Sequence, residues 1–250
     1  MIIAVYYIAA PSAPGYRAIA EASIVSARMA NPDAKILHAT DKRTDPITAA
    51  HGVMQMDIGA DVEDVVKGKA AFTVWMGKYP TENWAIVDAD VVHKKPMEPL
   101  LDGCDVALLV RGKPIMSINA GLIMGRPGFT DFWDYYNLGY NSLITEFGND
   151  LPRICHPWWA EQVALSGMVG SLSRGDVDVM GANVRLHEMN DTLPMAQSME
   201  EARAASGIGV HFKGAYSKQF VVEYAKEIWG EATANSGGSG GNDAADSTFH

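Results

Sequence analysis

Residues 84–92 read Trp84-Ala85-Ile86-Val87-Asp88-Ala89-Asp90-Val91-Val92. A short, fully apolar strand runs straight into two carboxylates one residue apart. In open parallel sheets, ligands bind outside the carboxyl ends of the strands, so Asp88 and Asp90 stand where a site belongs. Residues i and i+2 of an extended chain point to the same side. Two like charges held that close repel each other unless a cation sits between or beside them. Oxygen ligands select Mg²⁺ or Mn²⁺, which also bind phosphate oxygens. Taken alone, the segment has a second, less favoured reading as two loop aspartates capping a turn, where Asp is common.

Outward from this strand the pattern alternates. Residues 2–9, rich in Val, Ile and Tyr, predict a strand, and Pro11-Ser12-Ala13-Pro14-Gly15 predicts a loop. Residues 16–29 carry Ile19, Ala22, Ile24, Val25 and Met29 at helical spacing and stop at Asn31-Pro32. Residues 35–39 and 53–58 predict strands, and 62–76 a helix despite Gly68. Downstream, 106–110 and 118–124 predict two more strands, and 129–143 a helix rich in aromatic residues. Residues 151–159, with Pro152 and Pro157, predict a loop, and 161–165 the start of another helix. Strands separated by helices imply crossover connections, hence an α/β fold with a mainly parallel central sheet flanked by helices.

No repeat or internal linker interrupts this pattern, so residues 1–230 are expected to form a single domain. Residues 235–241 are Asn, Ser and Gly only, and the last 24 residues hold no Lys or Arg. Residues 231–250 lack the apolar mass to fold and are expected to be a disordered tail. The 250 residues are 48% hydrophobic and 20% charged, enough to bury a core. Twenty Lys and Arg against 30 Asp and Glu give a net charge of −10. That balance argues against gripping nucleic acid or an anionic membrane through bulk charge. A polyanion can still be held at one local site through a metal ion. The longest apolar run, residues 2–10, is too short to span a bilayer, and no Lys or Arg precedes it. No integral membrane segment is expected. Cys104 and Cys155 make no disulfide framework, so a reducing, cytoplasmic location is the default.

With its context included, the 84–92 segment resembles the D-x-D motif of GT-A glycosyltransferases. In particular it resembles that of glycosyltransferase family 8, which contains glycogenin and bacterial lipopolysaccharide galactosyl- and glucosyltransferases. Four further features follow in that family's order. Tyr16 opens a helix of the form Tyr-x9-Ser, ending on Ser26. Asn119-Ala120-Gly121 resembles the family's Asn-Ala/Ser-Gly strand. Glu161-Gln162 with Leu165 resembles its Asp-Gln-x-x-Leu, with Glu in place of Asp. His211-Phe212-Lys213-Gly214 resembles its late His-Phe-x-Gly. The family's following lysine corresponds to Lys218, one residue late and followed by Gln219-Phe220. Lys69 resembles, with a gap, a lysine that opens the helix before the D-x-D strand; an arginine of that helix has no clear counterpart here.

The resemblance implies a Rossmann-like nucleotide-diphospho-sugar transferase (GT-A) fold. It implies metal-dependent transfer of a hexose from a nucleotide diphosphate sugar, UDP-linked, to a hydroxyl of a glycan or other acceptor, with retention at the anomeric carbon. Asp88, Asp90 and His211 would hold Mn²⁺ or Mg²⁺; imidazole beside two carboxylates suits Mn²⁺ better than Ca²⁺. Tyr16 would stack on the base, and Asp88, Ala89 and Asp90 would line the ribose and phosphates. Lys69, Gly214 and Lys218 complete the donor contacts, with Lys213 a second lysine in the same loop. As the bond from the anomeric carbon to phosphate breaks, negative charge grows on the departing diphosphate. A divalent cation with a lysine stabilises it. The sugar becomes oxocarbenium-like; Asn119 and Gln162 would supply dipoles and Glu161 a carboxylate. As residues of a first helical turn, Glu161 and Gln162 could equally face solvent.

Retention requires no dedicated base, because the leaving phosphate helps to deprotonate the acceptor. Inversion would require a carboxylate base, for which Glu161 and Asp134 are candidates. Trp158-Trp159 could form an acceptor platform or pack at the edge of the site, and His156 has no assigned role. Three rival readings use the same residues. One is a haloacid-dehalogenase-like phosphatase, with Asp88 and Asp90 in its D-x-D motif and Gly175-Asp176-Val177-Asp178 as its late acidic motif. Another is a catalytically inactive sugar-nucleotide binding protein. A nucleotidyltransferase would need a glycine-rich basic loop after the first strand, where residues 9–17 hold one Gly and one Arg.

Overall fold

The computed structural model describes residues 1–10, 15–58, 62–112, 116–147, 159–170, 175–214 and 216–230. The strands are β1 (Ile2–Tyr6), β2 (Lys35–Asp41), β3 (Gly52–Met56), β4 (Trp84–Asp88), β5 (Val91–His93), β6 (Val106–Val110) and β7 (Ile118–Gly125). They continue with β8 (Gly175–Val179), β9 (Ala182–Glu188), β10 (Met195–Ala196) and β11 (Gly209–Phe212). The helices are α1 (Tyr16–Ala30), α2 (Val62–Lys78), α3 (Thr130–Phe147), α4 (Ala160–Val169), α5 (Met189–Thr192), α6 (Met199–Ala204) and α7 (Phe220–Trp229). Eight strands form one sheet in the order β3-β2-β1-β4-β7-β6-β9-β8, and β10-β11-β5 form a second, smaller one. The expected tail, Cys155, His156 and Trp158 lie outside the described residues.

The four strands β3-β2-β1-β4 run parallel, as the alternation of strand and helix predicts. β7 then lies antiparallel between β4 and β6. The connection from β6 to β7 is too short for a crossover helix, and an antiparallel return is what such a link permits. The sheet is covered on both faces. Trp84 and Ile86 point into a layer with Phe72, Met76, Trp133 and Tyr136 from α2 and α3. Ala85 and Val87 point into the other, with Ala20, Ile24 and Ala27 from α1. All four strand residues are fully buried, which is why this stretch carries no polar alternation. Gly77 lets α2 approach α3: a Cβ there would lie 2.1 Å from the Trp133 ring.

Some boundaries move from the sequence expectation for visible reasons. β1 ends at Tyr6, not residue 9. The Tyr7 N–H still donates to Ala39 O at 3.0 Å, but the Ala9 N–H turns away to Thr44 Oγ1 at 2.9 Å. α1 stops where Asn31-Pro32 predicts. The Asn31 side chain donates to Ala27 O and accepts from the Met97 N–H, both at 2.9 Å. Ser26, the serine of the Tyr-x9-Ser spacing, accepts from the His93 N–H at 3.0 Å, tying α1 to the strand that follows Asp90. Cys104 is buried and free. Among the described residues, no helix is long and apolar enough to cross a membrane.

Two buried histidines make the fold sensitive to acid. His38 accepts from the Ile47 N–H at Nδ1 (3.2 Å), so its Nε2–H donates to Tyr7 O (3.1 Å); a second proton would set two donors face to face. His93 is buried and neither ring nitrogen has a partner among the described residues. Burial pushes both pKa values down to about 4. The unfolded chain therefore binds more protons between about pH 6.5 and 4, and stability falls as pH drops through that window. Each full shift corresponds to about 3 kcal/mol. Urea midpoints are expected to fall on acidification, and His93→Leu to remove a substantial part of the slope. An unchanged slope in that variant would show that His93 binds protons equally in the folded and unfolded chain, against the burial argument.

Candidate active site

Asp88 is the last residue of β4, and Asp90 follows it at the carboxyl edge of the parallel half of the sheet. After Asp90 the chain enters β5, which leaves the main sheet and pairs antiparallel with β11, setting His211 opposite Val91. The Phe212 N–H donates to Asp90 O at 3.0 Å and locks this register. His211 Nε2 consequently lies 3.2 Å from Asp90 Oδ1 and 3.8 Å from Asp88 Oδ2. One ligand atom from each of Asp88, Asp90 and His211 falls within 4.8 Å of the others.

Glycine at position 121 makes room for this cluster. A Cβ there would lie 2.7 Å from both His211 Cε1 and Asn119 Oδ1. The Gly121 N–H donates to Asn119 Oδ1 at 2.8 Å, which leaves the amide NH2 as the group Asn119 has to offer. Two carboxylate oxygens and one imidazole nitrogen are a donor set suited to Mn²⁺ or Mg²⁺, with the nitrogen favouring the former. The Nδ1 of His211 is buried with no hydrogen-bond partner among the described residues, and Nε2 faces the carboxylates.

The cluster opens on a cavity of about 370 Å³ whose walls include Tyr7, Tyr16, Asn119, Gly121, Glu161 and Gln162, and also Lys69, Lys213, Gly214 and Lys218. Tyr16 enters through its hydroxyl, which donates to Asp90 Oδ2 at 3.0 Å. Its ring lies near-parallel to that of Tyr7 at 6.3 Å, and Lys218 Nζ stands 4.5 Å from its centre. The structure thus gives Tyr16 a contact that the base-stacking expectation did not include, its hydroxyl holding Asp90. Burial first, and then the Asp90 charge, push the Tyr16 phenol far above its ordinary value, so it stays a donor. Burial alone would raise the Asp90 pKa, but His211 and Lys218 outweigh it and hold this carboxyl well below the usual range.

Lys69 projects from α2 to the cavity floor. Its ammonium donates to Asp88 Oδ1 at 2.6 Å and to Ala120 O, and lies 3.4 Å from Glu161 Oε2. Burial pulls its pKa down, yet Asp88 and Glu161 more than reverse this and keep it charged. With three acceptors inside the protein, Lys69 ties carboxylates together and has no donor left for a phosphate. Glu161 is buried, not solvent-facing. It accepts from Thr73 Oγ1 at 3.1 Å and from Tyr136 Oη at 3.5 Å. Burial pushes its carboxyl up, against the pull of Lys69.

Gln162 is held by a residue that the sequence reading passes over. Arg111, just past β6 and 6% exposed, donates from Nη2 to Gln162 Oε1 at 2.7 Å and from Nε to Met116 O at 2.8 Å. A lone arginine after the apolar run Val106–Val110 is the only signal the sequence carries for it. Gly214 adopts a left-handed φ of +96°, a conformation that favours glycine. Ser217 Oγ donates to Lys213 O and, at 3.1 Å, to Gly214 O. These contacts fold the loop so that Lys218 returns over the cavity, and Trp159, 42% exposed, stands at its wall.

Besides the donor contact expected of Lys69, two expectations fail on geometry. Asp134 sits on the outer face of α3, paired with Lys78 Nζ at 2.6 Å, and does not line the cavity; its helix turns it to solvent. Of the two candidate bases only Glu161 is at the site. The acidic stretch at 175–178 lies on β8, at the far edge of the sheet and four strands from β4, a span of about 19 Å. There Asp176 is held by Arg185 at 2.7 Å. The phosphatase reading therefore lacks its second acidic motif beside Asp88.

No protein-family model matches the sequence, and no curated protein matches it closely enough to count as a relative. Solved structures share its fold. The glycosyltransferase GlyE of Streptococcus pneumoniae TIGR4 aligns with a TM-score of 0.56 at 11% identity over 90% of this chain; the chain spans 59% of GlyE's length. The galactosyltransferase LgtC, solved with donor and acceptor sugar analogs, aligns at 0.55 and 10% identity, covering 92% of this chain and 96% of LgtC. A glycosyltransferase involved in glycosylation of the major capsid of PBCV-1 aligns at 0.54 and 12% identity, over 91% and 100% of the two chains. The chain thus has the GT-A architecture, a mainly parallel central sheet flanked by helices.

Proposed function

We propose that this protein is a metal-dependent glycosyltransferase that moves a hexose from a nucleotide diphosphate sugar, UDP-linked, to a hydroxyl of a glycan or other acceptor. The observation that carries the reading is the convergence of Asp88, Asp90 and His211 within 4.8 Å at the carboxyl end of a central strand, on a cavity that also presents lysines. When bound there, Mn²⁺ or Mg²⁺ supplies a fixed charge against the departing diphosphate. Lys218 and Lys213 reach the same space from either side of Gly214, and Lys218 adds a point charge. Gln162, oriented by Arg111, and Asn119, oriented by the Gly121 N–H, have their carbonyl oxygens engaged and present their amide NH2 groups to hydroxyls of the sugar. Tyr7, Tyr16 and Ala89 line the side of the cavity left for the nucleoside.

Retention is the stereochemistry this arrangement supports. Among the described residues, the carboxylates lining the cavity are Asp88, Asp90 and Glu161. The first two belong to the metal cluster. Glu161 is buried and committed to Lys69, Thr73 and Tyr136, so it is badly placed to take a proton from an incoming acceptor. Front-face transfer, in which the leaving phosphate accepts that proton, needs no further base.

A thermal-shift screen of nucleotide sugars with and without Mn²⁺ tests the reading. A ligand present at about 100 times its Kd adds about 2.7 kcal/mol, which raises the Tm of a chain this size by roughly 5–10 °C. UDP-hexoses with Mn²⁺ are expected to give that shift, and each alone much less. A screen in which no nucleotide sugar shifts the transition, with or without metal, would overturn the proposal.

A further inference from the structure

In the structure both oxygens of Asp90 are engaged. Oδ1 faces His211 Nε2 at 3.2 Å; Oδ2 lies 3.0 Å from Lys218 Nζ and accepts from Tyr16 Oη at 3.0 Å. Lys218 also donates to Tyr16 Oη. The Asp90 side chain is 7% exposed, and that of Lys218 is 26% exposed. The lysine therefore reaches inward from the mouth of the cavity, from the short 3-10 turn Ser217–Gln219 that follows Gly214. Lys69, a second ammonium at the site, is fully committed to Asp88, Glu161 and a carbonyl. Lys218 is thus the lysine whose ammonium pairs with the buried Asp90 carboxylate, opposite His211.

We infer that Lys218 is an internal counter-ion that competes with the divalent metal for Asp90, so that metal binds well only once a diphosphate offers the lysine another partner. The inference rests on the metal site proposed above and adds an order of events to it. A buried carboxylate without a counter-charge is strongly unfavourable, so Lys218 stays on Asp90 while the cavity holds no other cation. A doubly charged ion at Asp90 repels an ammonium about 3 Å from the same carboxylate. Bound alone, the ion must displace Lys218 into water. With a diphosphate present, Lys218 moves from one anion to another, and the two ligands assist each other by reciprocal coupling. Such a lock keeps the pyrophosphate-neutralising charge from assembling before the donor arrives.

The sign of one substitution separates this from an ordinary phosphate-binding lysine. Mn²⁺ is titrated into the full chain and free Mn²⁺ read by electron paramagnetic resonance, with and without UDP, for wild type, Lys218→Met, Lys218→Gln and Lys218→Arg. Without UDP, the Met and Gln variants are expected to bind Mn²⁺ about tenfold more tightly than wild type, while Arg, which keeps the charge, stays near wild type. With UDP, the gain in Mn²⁺ affinity is expected to shrink by about the same factor in the Met and Gln variants. Equal Mn²⁺ affinity in wild type and in both neutral variants without UDP, with binding otherwise intact, overturns the counter-ion role and leaves the metal site standing. Absence of Mn²⁺ binding in every protein, with and without UDP, overturns the metal site itself.

Discussion

Asp90→Asn is expected to lower metal-dependent sugar transfer by about 10³-fold or more while the far-ultraviolet circular dichroism of the protein stays unchanged. The size follows from what the carboxylate does. Asp90 is one of three converging side chains of the proposed metal site, and a metal aimed at a departing phosphate would supply several kcal/mol of stabilisation to the transition state. Asparagine keeps the shape and can still accept from Tyr16, so the local fold is preserved. Lys218, released from its partner, is partly exposed and can reach water. His211→Ala should weaken Mn²⁺ binding in the same titration, because the imidazole is the one nitrogen in the set. Wild-type Mn²⁺-dependent turnover in the Asp90 variant would remove this carboxylate from the metal site.

Lys69→Met is expected to cost about 3–5 kcal/mol of stability at neutral pH, the usual loss when one partner of a buried ion pair is deleted. For a chain of this size that lowers Tm by roughly 10 °C or more. The cause is the pair of carboxylates left behind. Asp88 loses a 2.6 Å contact and Glu161 a 3.4 Å one. Glu161 is buried, so its already raised pKa must climb further when Lys69 goes. A raised folded-state pKa means that the native protein holds its proton longer than the unfolded chain does. Stability is then retained at low pH and lost as pH rises through the folded-state value. The variant is therefore expected to regain part of its deficit on acidification toward pH 5, and Lys69→Met with Glu161→Gln to be more stable than the single variant. A loss below about 1 kcal/mol at neutral pH would mean that Lys69 does not bind these carboxylates together.

What could be read before the fold was known was local and periodic. The apolar stretch ahead of Asp88 reads as a buried strand because each of its residues meets a core on one face or the other. The alternation of strands and helices over the first ninety residues likewise predicts the parallel half of the sheet. Residue chemistry carried the D-x-D pair to the metal hypothesis, and resemblance added His211, whose ligand atom does converge on Asp88 and Asp90. Neither periodicity nor spacing could tell that β7 returns antiparallel, or that β5 leaves the main sheet to bring β11 beside Asp90. Those outcomes depend on connection length and on which hydrogen-bonding edges remain unpaired. The partnerships that tune the site were the least legible. Arg111 meets Gln162 across 51 residues, and Lys218 meets Tyr16 across 202. A charged side chain leaves no periodic trace, because its partner is chosen by a buried electrostatic demand that arises only after the chain has closed around it. Sequence alone determined the sheet's parallel half and its acidic rim; the packed chain decided which cations answer that acid.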